Sequence, residues 1–456
     1  MSLIAAADWS PAPGRILEWR PTESTLAAAA AAPPHPVGPS FLQRDHINGV
    51  LAQRAQGREH RGFTCSALTV DEDLDESRMT QAITGFLCAH EGLRSSFTIA
   101  DGQIVRYVLA AADIGLAVVP APETDAHAHL ARRLPEDAVF DAFPGIAVGV
   151  ITRPGSFDLY LGVDHAFGDG GSQVLGPAEI IARYRGETSP ITGPHGSHID
   201  YTASEYETAA TVSAASEPVS IWREVLTAAG GTIPAFPLPL GVDDEPQPVA
   251  IKRAELADPT ATAALGRLAA AHGTSLIAVV HAALALTERE LAGREWYSTA
   301  TVLSTRKAEH QYSQGWYCNF APIGFRIVGN DFACVVDDAA RALAQAKSAA
   351  QIPVHAALGV LLAEGSIDPA VVASPQMVTY LDLGWFPVPE NTRDLAVFTG
   401  EGRTRNASLW ISRDRRGLSI ATQHPDNPTA AAAVGRHFDT VRTVLAAAVS
   451  DTVGAA

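Results

Sequence analysis

The stretch Phe157-Asp-Leu-Tyr-Leu-Gly-Val-Asp164-His165-Ala-Phe-Gly-Asp169-Gly170 decides how this chain is read. Its first half alternates as a strand does, and Ser172 to Arg185 continues with apolar residues at helical spacing. A histidine therefore stands at a strand end, with an aspartate four positions on and a glycine turn leading into the helix. Such a turn puts an imidazole at the rim of a cleft, where its neutral form can accept a proton from an attacking hydroxyl or amine. That chemistry suits acyl transfer. Asp169, coming after a tight turn, is expected to point into its own lobe and pair with an arginine. A plainer alternative, in which both residues only satisfy backbone groups of a turn, fits the six residues His165 to Gly170 taken alone.

Working outward, Met79 to Glu91 reads as a helix, and Phe97 to Ile99 with Ile104 to Leu109 as strands around Asp101-Gly102. Ala27 to Ala32 followed by Pro33, Pro34 and Pro36 reads as an extended or mobile lead-in over residues 1–37. A first lobe over 38–190 would then carry the His165 turn. The Pro- and Gly-rich run Gly186 to Gly196 opens a connection over 191–220, and a second lobe fills 221–456. Helices are expected at Tyr206 to Leu226 and Thr260 to Leu291, the latter broken at Gly273, and strands at Trp296 to Leu303, Ala321 to Val328, Val378 to Leu381 and Leu418 to Gln423. Pro428 to Val449 reads as a closing helix. Helices mixed with strands in both halves give an α+β class.

Composition narrows the function. The 456 residues are 47% apolar and 18% charged, as in a globular protein with a sizeable core. The formal charge, 33 − 50 = −17, opposes non-specific attraction to nucleic acid or anionic lipid. Cys65, Cys88, Cys318 and Cys334 are too scattered for a zinc motif and too few for a disulfide framework, so no metal site is expected from them. Cys318 lacks a neighbouring histidine to activate it, and no GxSxG elbow occurs. Neither a secretion signal nor a membrane span is read, which makes a cytoplasmic enzyme the expectation.

Other patterns occur in order along the chain: Pro39-Ser-Phe-Leu-Gln43, His90-Glu-Gly-Leu-Arg94-Ser-Ser-Phe97, His198-Ile-Asp-Tyr201, Trp222, Arg306, Gly315-Trp-Tyr-Cys-Asn319-Phe-Ala-Pro322 and His424-Pro-Asp-Asn427. Together with the HxxxDG turn they resemble the condensation-domain superfamily over nearly the whole chain. That superfamily includes condensation domains of nonribosomal peptide synthetases, free-standing condensation enzymes and polyketide-associated acyltransferases. The last two groups are the nearest in look. The resemblance implies two lobes like chloramphenicol acetyltransferase, forming a V-shaped pseudo-dimer with a tunnel between them. It implies His165 as the catalytic histidine, Asp169 as the structural acid and Gly170 as the turn residue. Asn319, Trp316 and Ser172 are the candidate substrate-binding residues, and Arg94 or Arg306 is the partner of Asp169. In one respect the chain departs from the pattern: the family commonly has two successive histidines, and here the first is Asp164. Neighbouring strand residues face opposite sides, so Asp164 is not expected to share the cleft with His165.

The expected activity is that of an acyltransferase that joins a thioester-bound acyl or aminoacyl group to a hydroxyl, giving an ester in natural-product or complex-lipid biosynthesis. The donor would be phosphopantetheine-linked on an acyl or peptidyl carrier protein, or CoA-linked, with no permanently bound cofactor. The acceptor would be a small hydroxyl-bearing molecule, with no nucleic-acid partner. Amide formation is the rival chemistry, and a catalytically silent binding module of the same fold is the rival of another class.

Overall fold

The computed structural model describes residues 2–4, 8–123, 125–243, 245–329, 331–368, 376–400 and 402–454. The chain forms two compact units of α+β structure. The first comprises Met1–Tyr206, Arg306–Tyr317 and Trp385–Glu401, and the second Glu207–Thr305, Cys318–Gly384 and Gly402–Ala456.

The first unit is built on a seven-stranded sheet in the order Ser2–Ile4, Thr392–Thr399, Phe63–Val70, Ser156–Asp164, Ile146–Arg153, Arg15–Pro21 and Leu116–Pro120. Ser156–Asp164 lies in the middle of it, antiparallel to both neighbours. That position explains its near-continuous burial, since a strand covered on both faces has no polar side. The adjacent Phe63–Val70 is buried at all eight positions. The helices Glu76–Ala89 and Gly170–Tyr184 pack together and press their apolar faces on this core. Ser95–Ala100 and Gln103–Val108 form a separate hairpin.

The second unit has its own seven-stranded sheet, ordered Cys318–Arg326, Trp296–Ser304, Met377–Asp382, Leu409–Asp414, Gly417–Pro425, Gln247–Ala257 and Arg403–Thr404. Its core gathers the helices Leu276–Ala292, Phe332–Ala349 and Pro428–Gly454. Among the described residues no single helix is long and apolar enough to cross a membrane, and the two helix pairs that reach that length together are bent by 100° and 89°.

Three expectations are corrected. First, residues 1–37 are not a lead-in: Arg15–Pro21 is an inner strand of the first sheet, with Leu17 fully buried. The alanine run is helical over Glu23–Ala31, capped by Thr22 Oγ1 accepting from the Thr25 N–H, because alanine has the highest helix propensity and only Pro33 forbids continuation. Second, Tyr206 to Leu226 is not one helix. His198–Ala210 ends and Glu217–Ala228 restarts with Pro218 in its first turn, where a missing N–H costs nothing. Third, two lobes separated by a connection over 191–220 give way to units that share the sequence in turns. Thr392–Thr399 crosses back to pair with Phe63–Val70, a register that no local pattern announces.

The strand Arg15–Pro21 yields a test of its structural part. Leu17→Ala should cost about 2–5 kcal/mol in denaturant unfolding, whereas Leu26→Ser, on the exposed face of the alanine helix, should change stability by no more than about 0.5 kcal/mol.

Candidate active site

His165 begins a one-turn 3₁₀ helix, His165–Phe167, directly after the strand Ser156–Asp164. Its backbone N–H donates to Gly62 O at 2.9 Å, which fixes the strand end against the neighbouring strand. The helix Phe41–Ala55 docks on the same turn. Ser40 and Gln43 form its capping box, and Gln43 Nε2 donates to Ala166 O at 2.7 Å. The completely buried Arg106 donates in turn to Gln43 Oε1, Gly38 O and Val37 O, so the Pro39–Gln43 motif is part of the scaffold of this turn.

His165 is partly exposed as a residue, with its Nδ1 buried, and Trp316 stacks on its ring with centroids 4.1 Å apart and planes at 28°. The His46 ring lies 6.0 Å away on a tilted plane. Burial, followed by the neighbouring His46, pushes the His165 imidazole below the ordinary histidine value and so favours its neutral form. A neutral imidazole in this position can take a proton.

Asp169 faces the other way. It is buried, caps the helix Gly170–Tyr184 through Oδ1 accepting from Ser172 N at 2.7 Å, and accepts from Arg306 at 2.8 Å. Its Oδ2 accepts from Tyr317 N at 3.0 Å. Burial would raise this carboxyl, but the Arg306 charge and these donors outweigh it and hold the group below its ordinary value. Arg306 is thus the partner of Asp169. Arg94, the other candidate, instead donates to Leu109 O. Arg306 also donates to His310 O and Ser313 O, and its guanidinium lies 4.7 Å over the Tyr317 ring. The whole segment Arg306–Tyr317 is clamped in this way, and Trp316 with it. Gly315, at φ +150°, is where the segment turns, and a Cβ there would come within 2.4 Å of the His198 ring.

Behind Trp316, the His198 Nε2 accepts the Trp316 N–H at 3.2 Å, and burial with the charge of Arg106 holds this imidazole down at about 3. His90 accepts the Gln314 N–H on Nδ1 at 3.2 Å and faces Glu179 with Nε2 at 2.7 Å. That tautomer carries its proton on Nε2, so the His90–Glu179–His195 cluster has no lone pair of His90 to offer a cation and acts as a tether for the segment.

Two of the sequence-predicted substrate-binding residues, Ser172 and Asn319, have their hydrogen-bonding groups engaged within the protein. Ser172 Oγ donates to Gly315 O and accepts from Arg306 and Gly315 N. Asn319 Nδ2 donates to Ala350 O and Ile352 O, while its Oδ1 accepts from Phe320 N and Val354 N. Both side chains have spent every donor and acceptor they possess on protein groups. Ser172 staples the Trp316 segment, and Asn319, in the second unit, closes the turn between Phe332–Ala349 and Val354–Ala363. Gly170 is the exposed first residue of its helix, as a turn residue should be. The N–H groups of His165, Ala166 and Ser172 are already engaged, which removes three of the backbone donors of the turn from an oxyanion role.

Sequence reasoning missed His46 and His60. Both face Asp164, His46 Nε2 at 2.9 Å from Oδ1 and His60 Nε2 at 3.1 Å from Oδ2. They precede Asp164 by more than 100 positions, and no spacing rule connects them.

Fold and turn together define an acyltransferase of the condensation type. The condensation-domain family matches residues 51–367, and the chain belongs to it. Over its length the chain is similar to the Acyltransferase PapA3 of Mycobacterium tuberculosis, 27% identical over 462 residues, covering 96% of this chain and 94% of that protein. It is also similar to the 2'-acyl-2-O-sulfo-trehalose (hydroxy)phthioceranyltransferase PapA1 of the same species, 28% identical over 459 residues and covering 97% and 88%. The solved PapA2 acyl transferase superposes with a TM-score of 0.89 at 23% identity, over 98% of this chain and all of that one. The first condensation domain of the calcium-dependent antibiotic synthetase superposes with a TM-score of 0.68 at 19% identity, over 91% and 96%. At the level of the family, the activity is acyl transfer from a thioester-linked donor to a hydroxyl acceptor.

The buried pair gives a stability prediction. Asp169→Ala should lower unfolding free energy by about 3 kcal/mol or more, because it strands the Arg306 guanidinium. Against Asp169→Asn, the wild-type advantage should be full above about pH 4 and shrink as pH falls through the lowered carboxyl value, which thermal melts across pH will show.

Proposed function

We propose that this chain is an O-acyltransferase that transfers an acyl group from a CoA- or phosphopantetheine-linked thioester to a hydroxyl acceptor, with His165 as general base. The observation that carries this reading is the arrangement at the strand end: a partly exposed histidine, its imidazole biased to the neutral form and stacked against Trp316, with Asp169 turned away and spent on Arg306. Since Asp169 is committed elsewhere, the base is a lone histidine. Its neutral form takes the acceptor proton as the oxygen attacks the thioester carbonyl. Collapse then breaks the C–S bond, and the imidazolium returns that proton to the departing thiolate. Trp316 lies against the ring on which positive charge develops, where an indole face favours a cation.

The names of the relatives guide the choice of acceptor. PapA1 and PapA2 are named for acylating sulfated trehalose, so a sugar hydroxyl is the first acceptor class to test here. The PapA relatives match this chain over nearly their full lengths, which supports ester formation over amide formation.

His165→Ala should keep the fold and lower turnover by about 100-fold or more. In the intact enzyme kcat/KM should hold its plateau below about pH 6.5, the ordinary histidine value, and fall only as pH passes through the lowered value of His165. Given an alcohol and its amine analogue with a common donor, His165→Ala should suppress ester more than amide, because an amine attacks without prior deprotonation. If the intact enzyme makes amide only, and acylates no alcohol across a broad panel, the amide-forming reading replaces this one.

Direct attack also predicts that no acyl-enzyme accumulates. Intact-mass spectrometry after mixing with an acyl-CoA alone should show unmodified protein, and an adduct that is discharged by acceptor would refute the mechanism.

A further inference from the structure

Asp164 occupies the position where the family pattern has a histidine, and its surroundings give it a task. It is fully buried, accepts from Ala166 N at 2.8 Å, and among the described residues its ion-pair partners are His46 and His60. Burial would raise the Asp164 carboxyl, but the hydrogen bonds from His46 and His60 outweigh it and hold the group down at about 2. An ionised carboxylate in such a place needs a compensating positive charge.

The two imidazoles are not equivalent carriers of that charge. His60 Nε2 lies 3.0 Å from Ala138 O as well as facing Asp164, and its Nδ1 is buried with no hydrogen-bond partner. A protonated His60 would therefore bury an orphan N–H, whereas with a proton on Nε2 alone, turned to Ala138 O, the unpaired sites are acceptors only, its own Nδ1 and Asp164 Oδ2. His46 presents its Nε2 to Asp164 Oδ1 at 2.9 Å, and its side chain is 12% exposed, so water can solvate the far N–H of an imidazolium. Gly62 makes this seat possible, since a Cβ there would come within 2.5 Å of the His46 ring.

Gln43 and His46 are one helical turn apart on Phe41–Ala55, and Gln43 is bonded to the turn that carries His165. The helix thereby aims His46 at the base, with ring centroids 6.0 Å apart, and at Trp316 at the same distance. The other charged groups around this corner are committed to partners of their own, Arg54 to Asp141 and Asp169 to Arg306. We propose that His46 is a positioning residue for the base: with Asp164 it forms a fixed ion pair whose positive end lies beside His165 and reserves that imidazole for the acceptor proton. The proposal rests on the reading of His165 as general base.

The test follows the His165 ring directly. Histidine-labelled protein without substrates is titrated by NMR as wild type, His46→Gln and His46→Arg, alongside the pH profile of kcat/KM measured with an acyl-CoA and trehalose. The amide of His46→Gln can still bind Asp164 but carries no charge, so the His165 midpoint and the acid limb of the profile should rise by about one pH unit. His46→Arg restores the charge and should return both to the wild-type position. A merely structural role for His46 would move neither, or move both variants alike, and either result overturns the proposal. If His46→Gln does not fold, His46→Asn, equally uncharged and with Asp164 left in place, is titrated instead, and an unmoved His165 midpoint counts against the proposal. Full turnover by His165→Ala would remove the reading of the base itself, while an inactive His165→Ala with unmoved His46 variants would remove only the ion-pair role.

Discussion

One buried carboxylate organises the first unit. Asp169 sits at the start of the helix Gly170–Tyr184 and there gathers the Ser172 N–H, the Arg306 guanidinium and the Tyr317 N–H. A buried ion pair is weak evidence for net stability, since desolvation offsets most of the attraction. Its worth lies in what it orders. The three donors come from two stretches of chain more than 130 positions apart, so satisfying one carboxylate fixes how the segment Arg306–Tyr317 lies against the helix. The Trp316 stack on His165 follows from that placement.

The histidines of this unit divide by how their second nitrogen is treated. His90 and His198 have a ring nitrogen that accepts a backbone N–H from the Trp316 segment, which marks them as neutral props. His165 has a buried Nδ1 without a hydrogen-bond partner and stacks on Trp316, which suits a group that gains a proton only during turnover. His46 is held against the Asp164 carboxylate and is partly open to water. Similar side chains thus differ in role because burial and neighbours differ.

The saturation of Ser172 and Asn319 carries a general point about motifs. Both were candidate substrate-binding residues, and the hydrogen-bonding groups of both are engaged by the protein. A count of donors and acceptors separates a side chain that is fully engaged in shaping a loop from one with hydrogen-bonding capacity left for a ligand.

The HxxxDG turn, the strand before it, the helix after it and the α+β class were legible in the sequence, because they rest on local periodicity and on residue types whose chemistry is fixed. Arg306 and Arg94 could not be told apart, since the choice depends on where a distant loop returns. The alanine run misled because low complexity says nothing of the Thr22 cap or of the carbonyls of Asp113 and Gly115, which accept from Thr25. His46, His60 and Asp164 were invisible as a group, for their contact is made by sheet register and helix docking across more than 100 residues. Sequence pointed to His165 as the residue to accept a proton. Tertiary structure alone decided which histidines face a buried carboxylate, which accept a backbone N–H and which arginine holds the turn, because those properties belong to distances between elements that the chain brings together only by folding.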